Sequence, residues 1–388
     1  MRGRPPRSPA TGAAGSTLLA CGLSLLSVAS TGSAQMRAAS LWDAASAVGA
    51  AAGPLVGGAL VDSTGWQGLF WIDAAIAAAR VPLTLATVPE SSDPDRPHTL
   101  DIAGMLLIAV ALVPLVLGLS QGPEWGWVSA ATLLCFAVTV LGVIGFVMVE
   151  RRVRSPLLDL RLLRNKVLVG ATLAILIVAG AINGLMYVIS LYFQDPAGLH
   201  MSPLQAGLAT LPAAAGIVVV APFVSGLAAR FGTRQVIGVG FLITTAGFAV
   251  LVLLTPSWGH GLFVLPLVGI AVGMGLSNGC ASSAATASVP QHAVGAASGV
   301  SNMARYVGAA PMTAAAATIY STAAASHAVS QAEALTNGVA RSALLMAIAA
   351  GVGVVASLLY RHRPERAGTT DRVVAAAVVV HTIPATGR

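Results

Sequence analysis

The chain has 388 residues, 56% of them hydrophobic and only 9% charged, with a mean hydropathy of +0.82. A soluble domain carries about 25% charged residues, so a water-soluble enzyme is excluded; a disordered chain, poor in apolar side chains, is excluded with it. The net charge of +7 comes almost wholly from Arg in short loops between apolar runs, a pattern that sets topology and gives no reason to expect nucleic acid as a partner. What remains is an all-α polytopic membrane protein, because long apolar segments must satisfy their backbone hydrogen bonds internally.

In chain order, residues 1–41 come first and admit three readings. Arg2, Arg4 and Arg7 ahead of a short apolar run and Gly32-Ser33-Ala34 resemble a signal peptide. The same run also fits a worn membrane span or an unstructured leader. With about 20 apolar residues per crossing, ten spans then follow at 42–61, 67–88, 101–120, 127–149, 167–193, 205–229, 235–254, 261–286, 293–322 and 338–360. The longest charged connector, 150–166, contains Arg151, Arg152, Arg154, Arg161, Arg164 and Lys166 and separates four spans from six. A tail, 361–388, closes the chain.

Placing the basic loops on the cytoplasmic side puts both termini there as well. Trp66, Trp71, Trp125, Trp127 and Trp258 then fall near the opposite interface, where amphipathic rings are favoured. Cys21, Cys135 and Cys280 all lie in apolar segments without metal-type spacing, so neither a disulfide framework nor a metal site is expected. A nucleotide-binding glycine loop and a catalytic triad are likewise missing from the sequence, and no cofactor is expected.

Gly49, Gly53 and Gly57 recur every four residues and share one helix face, with Pro54 and Gly58 beside them. A stripe of that kind lets a second helix approach closely, and Pro54 removes a backbone donor and kinks the helix. Ionisable residues inside spans are functional candidates because burying them in hydrocarbon costs several kcal/mol. Asp73 and Arg80 stand two turns apart in the second span. Asn183, Tyr187, Ser190 and Gln194 form a polar stripe in the fifth, Asn278 and Ser282 in the eighth, and Ser298, Asn302 and Arg305 in the ninth. Each stripe suits a water-filled cavity, or equally hydrogen bonds between helices. Arg230 and Arg234 flank a tight turn at Gly232, which reads as a gating loop or as simple positive-inside anchoring.

Several of these segments together resemble a known family. Arg37-Ala-Ala-Ser-Leu-Trp42 leading into Gly49…Gly53-Pro54…Gly57-Gly58 is similar to the antiporter motif of major facilitator superfamily drug exporters. Gly65-Trp66-Gln-Gly-Leu-Phe70-Trp-Ile72-Asp73 resembles the segment that follows it in the fourteen-span, proton-coupled branch. Leu191-Tyr192-Phe193-Gln194, Ala206-Gly207-Leu208 with Leu211-Pro212, Gly226…Arg230-Phe-Gly232-Thr-Arg234 and Gly295…Arg305…Gly308 continue the series. Two departures stand out: Asp73 holds a position more often Asn, and Ala229 stands where an Asp usually precedes the first Arg of the gating loop.

The resemblance implies a helical bundle in which 42–88 is the remainder of an amino-terminal bundle, 101–149 a central pair and 167–360 a complete carboxy-terminal bundle, with no counterpart of the first three spans. It implies export of amphipathic or cationic drug-like molecules by alternating access, coupled to the proton gradient, across a bacterial-type inner membrane. The alternative is a truncated remnant that does not transport and acts only as a binding or assembly element.

Overall fold

The structure, a computed structural model, describes residues 49, 52–53, 55–87, 101–153, 162–289, 294–325 and 330–359. The three readings of residues 1–41, the tail, Pro54 and most of the basic connector lie outside the described residues. Those described form an all-α protein. In chain order its helices are α1 (Leu55–Thr64), α2 (Gln67–Thr87), α3 (Ile102–Trp125), α4 (Ala130–Glu150), α5 (Lys166–Gln194), α6 (Pro203–Phe231), α7 (Thr233–Val252), α8 (His260–Ala287), α9 (Val294–Ala324) and α10 (Gln331–Leu359). Among them, eight are long and apolar enough to cross a membrane. Of the other two, α1 is the described end of the apolar run 42–61, and α9 is long but dilutes its apolar residues with Gly, Ser, Thr and Arg305.

Local chemistry explains where the helices begin and end. Asp101, Ser129, Asn165 and Ser202 each accept a backbone N–H from the first turn that follows, which satisfies donors the helix itself leaves unpaired. The Asn165 side chain also makes a long-range bond, in which its Nδ2 donates to the Ser288 carbonyl at 2.6 Å and ties the start of α5 to the end of α8. The turn between α6 and α7 is made by Gly232 at φ 88°, a conformation that L side chains rarely adopt. The start of α10 falls at Gln331, well ahead of the expected 338, because the Ser330 hydroxyl accepts Glu333 N–H and so starts the helix outside the most apolar stretch.

The helices α5–α10 form one packed bundle. Its most extensive interfaces are α5 with α9, α7 with α8 and α10, and α6 with α8. Small residues make these approaches possible. A Cβ on Gly180 of α5 would lie 2.8 Å from the Gly308 carbonyl oxygen of α9, and one on Gly308 would run into the Leu176 carbonyl. Phe193, Phe241, Phe248 and Phe263 are completely buried in the same core. The pair α3–α4 packs on itself and touches the bundle through α9. Outward faces remain apolar, as at Leu141 (67% exposed) and Leu265 (79% exposed), which is the surface a bilayer wets. Among the described residues α2 is the least packed helix, with Gly68 its one buried residue.

Candidate functional site

The polar residues fall into four places. The first is α5, whose two faces differ completely. Ile175, Val178, Leu185, Val188, Ile189 and Phe193 are buried, whereas Asn183, Tyr187, Ser190 and Gln194 lie together on the exposed face. Asn183 Nδ2 donates to the Ala179 carbonyl at 2.8 Å, and Gln194 Nε2 donates to Ser190 Oγ at 2.9 Å. These local bonds leave the other polar atoms of the stripe turned outward. Tyr187 is 42% exposed and presents both a ring and a hydroxyl.

The second place joins two helices. Arg305 on α9 donates through one terminal nitrogen to Asn278 Oδ1 at 3.0 Å and through the other to Ser282 Oγ at 2.9 Å, both on α8. The sequence put these residues on separate stripes; the structure makes them one cluster. Such a fork holds the planar guanidinium in a fixed orientation, which a Lys could not reproduce. Asn302 sits one turn earlier on α9, half-buried. Between α5, α6 and α8 lies an apolar cavity of about 180 Å³, lined among others by Ile182, Met186, Thr210, Ala213 and Met274. That is room for roughly one aromatic ring.

The third place is the turn between α6 and α7. Arg230 is exposed, with its guanidinium 5.3 Å from the Phe231 ring centroid. Arg234 is half-buried and donates through Nε to the Ser357 carbonyl, which pins the start of α7 to the end of α10. The two arginines of the expected gating loop therefore differ: one faces outward and one is an anchor.

The fourth place is the amino-terminal part. Asp73 and Arg80 are both exposed on α2, and among the described residues neither makes a hydrogen bond or an ion pair. The glycine stripe that leads into α1 also divides. Among the described residues, added Cβ atoms on Gly49 and Gly53 would meet nothing within 4 Å, and one on Gly57 would only touch Leu69. Gly58, off the four-residue repeat, makes the close approach: a Cβ there would lie 2.6 Å from the Pro203 carbonyl oxygen at the start of α6.

Two acidic residues went unnoticed in the sequence. Asp62 accepts hydrogen bonds across the seam between α1 and α6. Glu150, 4% exposed, ends α4 beside the Asp101 cap of α3. Both look like ordinary span-end carboxylates when read along the chain; only the partner 140 residues away marks Asp62. Among the described residues no group of His, Cys, Asp and Glu is arranged to hold a metal.

The family model described as the Major Facilitator Superfamily matches residues 10–313. The chain belongs to the major facilitator superfamily. Within that superfamily it is similar to the "Multidrug resistance protein Stp" of Mycobacterium tuberculosis, 32% identical over 70% of this chain and 50% of that protein. It is also similar to the "Multidrug efflux pump LfrA" of Mycolicibacterium smegmatis, at 31% identity over 80% of this chain and 61% of the pump. The "Tetracenomycin C resistance and export protein" of Streptomyces glaucescens is 29% identical over 69% of this chain and 49% of its own length. The chain thus spans about half the length of the curated relatives it matches.

Proposed function

We propose that this major facilitator chain is a secondary transporter of the drug-export branch, moving amphipathic or cationic drug-like molecules out across a bacterial plasma membrane with the proton gradient as energy source. The observation that carries this reading is the exposed polar stripe of α5. Four hydrogen-bonding side chains on a helix otherwise surrounded by apolar residues would be costly against lipid. They are favourable against a water-filled path between two helical bundles, where such transporters bind their substrates near the midplane. Arg305, fixed by Asn278 and Ser282, would stand along the same kind of path on the neighbouring helices. The apolar cavity behind α5 offers surface for the hydrophobic part of a substrate, as mixed apolar and polar walls do in ligand sites generally.

In this reading Asn183, Tyr187, Gln194, Asn278, Asn302 and Arg305 line the path, and Asp73 and Arg80 contribute from the amino-terminal part. Gly49, Gly53, Pro54, Gly57 and Gly58 are the packing motif beside it, and Arg230, Gly232 and Arg234 form the cytoplasmic loop between α6 and α7. The termini are cytoplasmic, and the fourteen-span, proton-coupled branch is the assignment that the motif order favours. One observation supports a second reading, a binding or assembly element without transport. Because α2 buries Gly68 alone, Asp73 and Arg80 line no enclosed path among the described residues.

Dye accumulation in energised cells expressing the full chain separates the two. The transporter reading expects exclusion of a cationic dye that a protonophore abolishes, and Tyr187→Ala and Arg305→Ala that lower it at equal membrane level. Unchanged accumulation in cells with confirmed membrane insertion would leave the second reading standing.

A further inference from the structure

The start of α6 carries an unusual division of labour. A helix leaves its first backbone N–H groups without internal partners, and here each can be traced. Pro203, at the first position, has no N–H. Gln205 N–H donates to Ser202 Oγ at 3.3 Å, and the Gln205 side chain returns the bond to Ser202 N–H at 3.0 Å, a complete capping box. Leu204 N–H is left, and it donates to Asp62 Oδ2 at 3.2 Å. The same carboxylate oxygen also accepts the Ser202 hydroxyl at 3.1 Å. One turn before Asp62, Gly58 lies against the Pro203 backbone so closely that a Cβ has no room.

The receiving side is rigid. Asp195 Oδ1 accepts Ala197 N–H at 2.8 Å, and the backbone of 195–201 folds back so that Met201 N–H reaches the Phe193 carbonyl at 2.8 Å. Ser202 and Leu204 are therefore presented at a fixed place above the buried Tyr192–Phe193–Phe263 aromatic group. A carboxylate at that point also lies at the positive end of the helix dipole.

We propose that Asp62 is a latch. Its carboxylate holds the end of the glycine-motif helix α1 against the start of α6, closing the molecule at the end away from the basic loops, and it must release for that end to open. The proposal rests on the alternating-access reading above and adds to it the residue that holds one of the two states. Asp62 positions the two parts relative to each other; it does not touch substrate.

The test uses the full chain in lipid nanodiscs, with Cys21, Cys135 and Cys280 replaced by Ser and spin labels on Ser63→Cys and Ser257→Cys, whose native side chains are exposed, one on α1 and one in the connection between α7 and α8 of the bundle. With Asp62 present, a single short separation is expected to dominate the measured distances. Asp62→Ala is expected to raise the long-separation fraction about tenfold, the change that loss of a charge-assisted hydrogen bond produces. Asp62→Asn, which keeps an acceptor without the charge, should fall between. An unchanged distribution in Asp62→Ala, with the variant eluting as a folded species, overturns the latch. If Asp62→Ala cannot be purified folded, the same prediction passes to Asp62→Asn, and an unchanged distribution there overturns it equally. Because distances are read without transport, a chain that excludes no dye yet opens on loss of Asp62 would sink the transport reading and leave the latch in place.

Discussion

The bundle α5–α10 and the pair α1–α2 are built from the same kind of sequence, yet they hold their polar residues in opposite ways. In the bundle, Arg305 is oriented by two side chains from the next helix, Arg234 by a carbonyl, and Asn165 bridges two helix ends. In α2, Asp73 and Arg80 stand on a helix that buries one glycine. The difference teaches that an ionisable residue in a span is not by itself evidence of a built site. Packing around it is what fixes geometry, and α5–α10 supply it where α2 does not. At the boundary between the two regions, Gly58 and Asp62 are the points where the amino-terminal part is tied to packed structure.

The largest expected effect lies at the tightest approach in the bundle. Gly308→Leu would drive a side chain into the Leu176 carbonyl of α5, where no flexible group can yield. It should cost about 3 kcal/mol or more, at the upper end of overpacking penalties. A size-exclusion profile after heating the detergent-solubilised protein should show a fall in the retained fraction. The matched change Ala75→Leu on α2, an exposed position, should leave the profile unchanged. Equal sensitivity at both positions would break the contrast between the regions.

Arg305→Ala comes next. It removes two charge-assisted hydrogen bonds between α8 and α9 and should cost about 2 kcal/mol. Arg305→Lys should recover only part of this, because an ammonium cannot reach Asn278 and Ser282 in one planar fork. Equal melting temperatures for the Lys variant and the parent would show that charge alone, without geometry, suffices there. Asn165→Ala should be milder, about 1 kcal/mol, since the cap of α5 and the tie to Ser288 are lost but water reaches the helix end. The same melting assay reads it.

Much of this could be seen in the sequence, and the physical reason is plain. A span must be apolar along its whole length, so hydropathy alone placed most helix ends close to their observed positions, from α2 at 67–87 to α8 at 260–287. The stripe on α5 was equally legible, because 3.6-residue periodicity sends Asn183, Tyr187, Ser190 and Gln194 to one side. Periodicity carries no information about what lies opposite. It grouped Gly49, Gly53 and Gly57, but among the described residues the close approach belongs to Gly58, whose partner is the Pro203 backbone at the start of α6. It also gave Asn278, Ser282 and Arg305 no reason to meet. The start of α10 was missed because Ser330 outweighs hydropathy at that end. For Asp62 a signal did exist: Ser202-Pro203-Leu204-Gln205 is a readable capping box that leaves Leu204 N–H unclaimed. Finding the claimant required the fold.

The smallest structural effect, and the sharpest functional one, is expected at Asp73. Because it is exposed and makes no hydrogen bond or ion pair among the described residues, Asp73→Asn should leave the melting temperature within the scatter of ordinary surface substitutions, about 0.5 kcal/mol. On the transporter reading the same change removes a titratable group from the path. Protonophore-sensitive dye exclusion should then weaken while the protein remains folded and inserted. Asp73→Glu, which keeps the carboxyl, should retain it. If Asp73→Asn exports as well as the parent, α2 contributes no coupling group and the chemistry passes to the bundle, where polar residues are held in place. If it fails while Asp73→Glu works, a proton site exists on the least packed helix of the molecule. Packing would then be a guide to rigidity and not to function, and the contrast between the two regions would have to be redrawn around the exposed carboxylate.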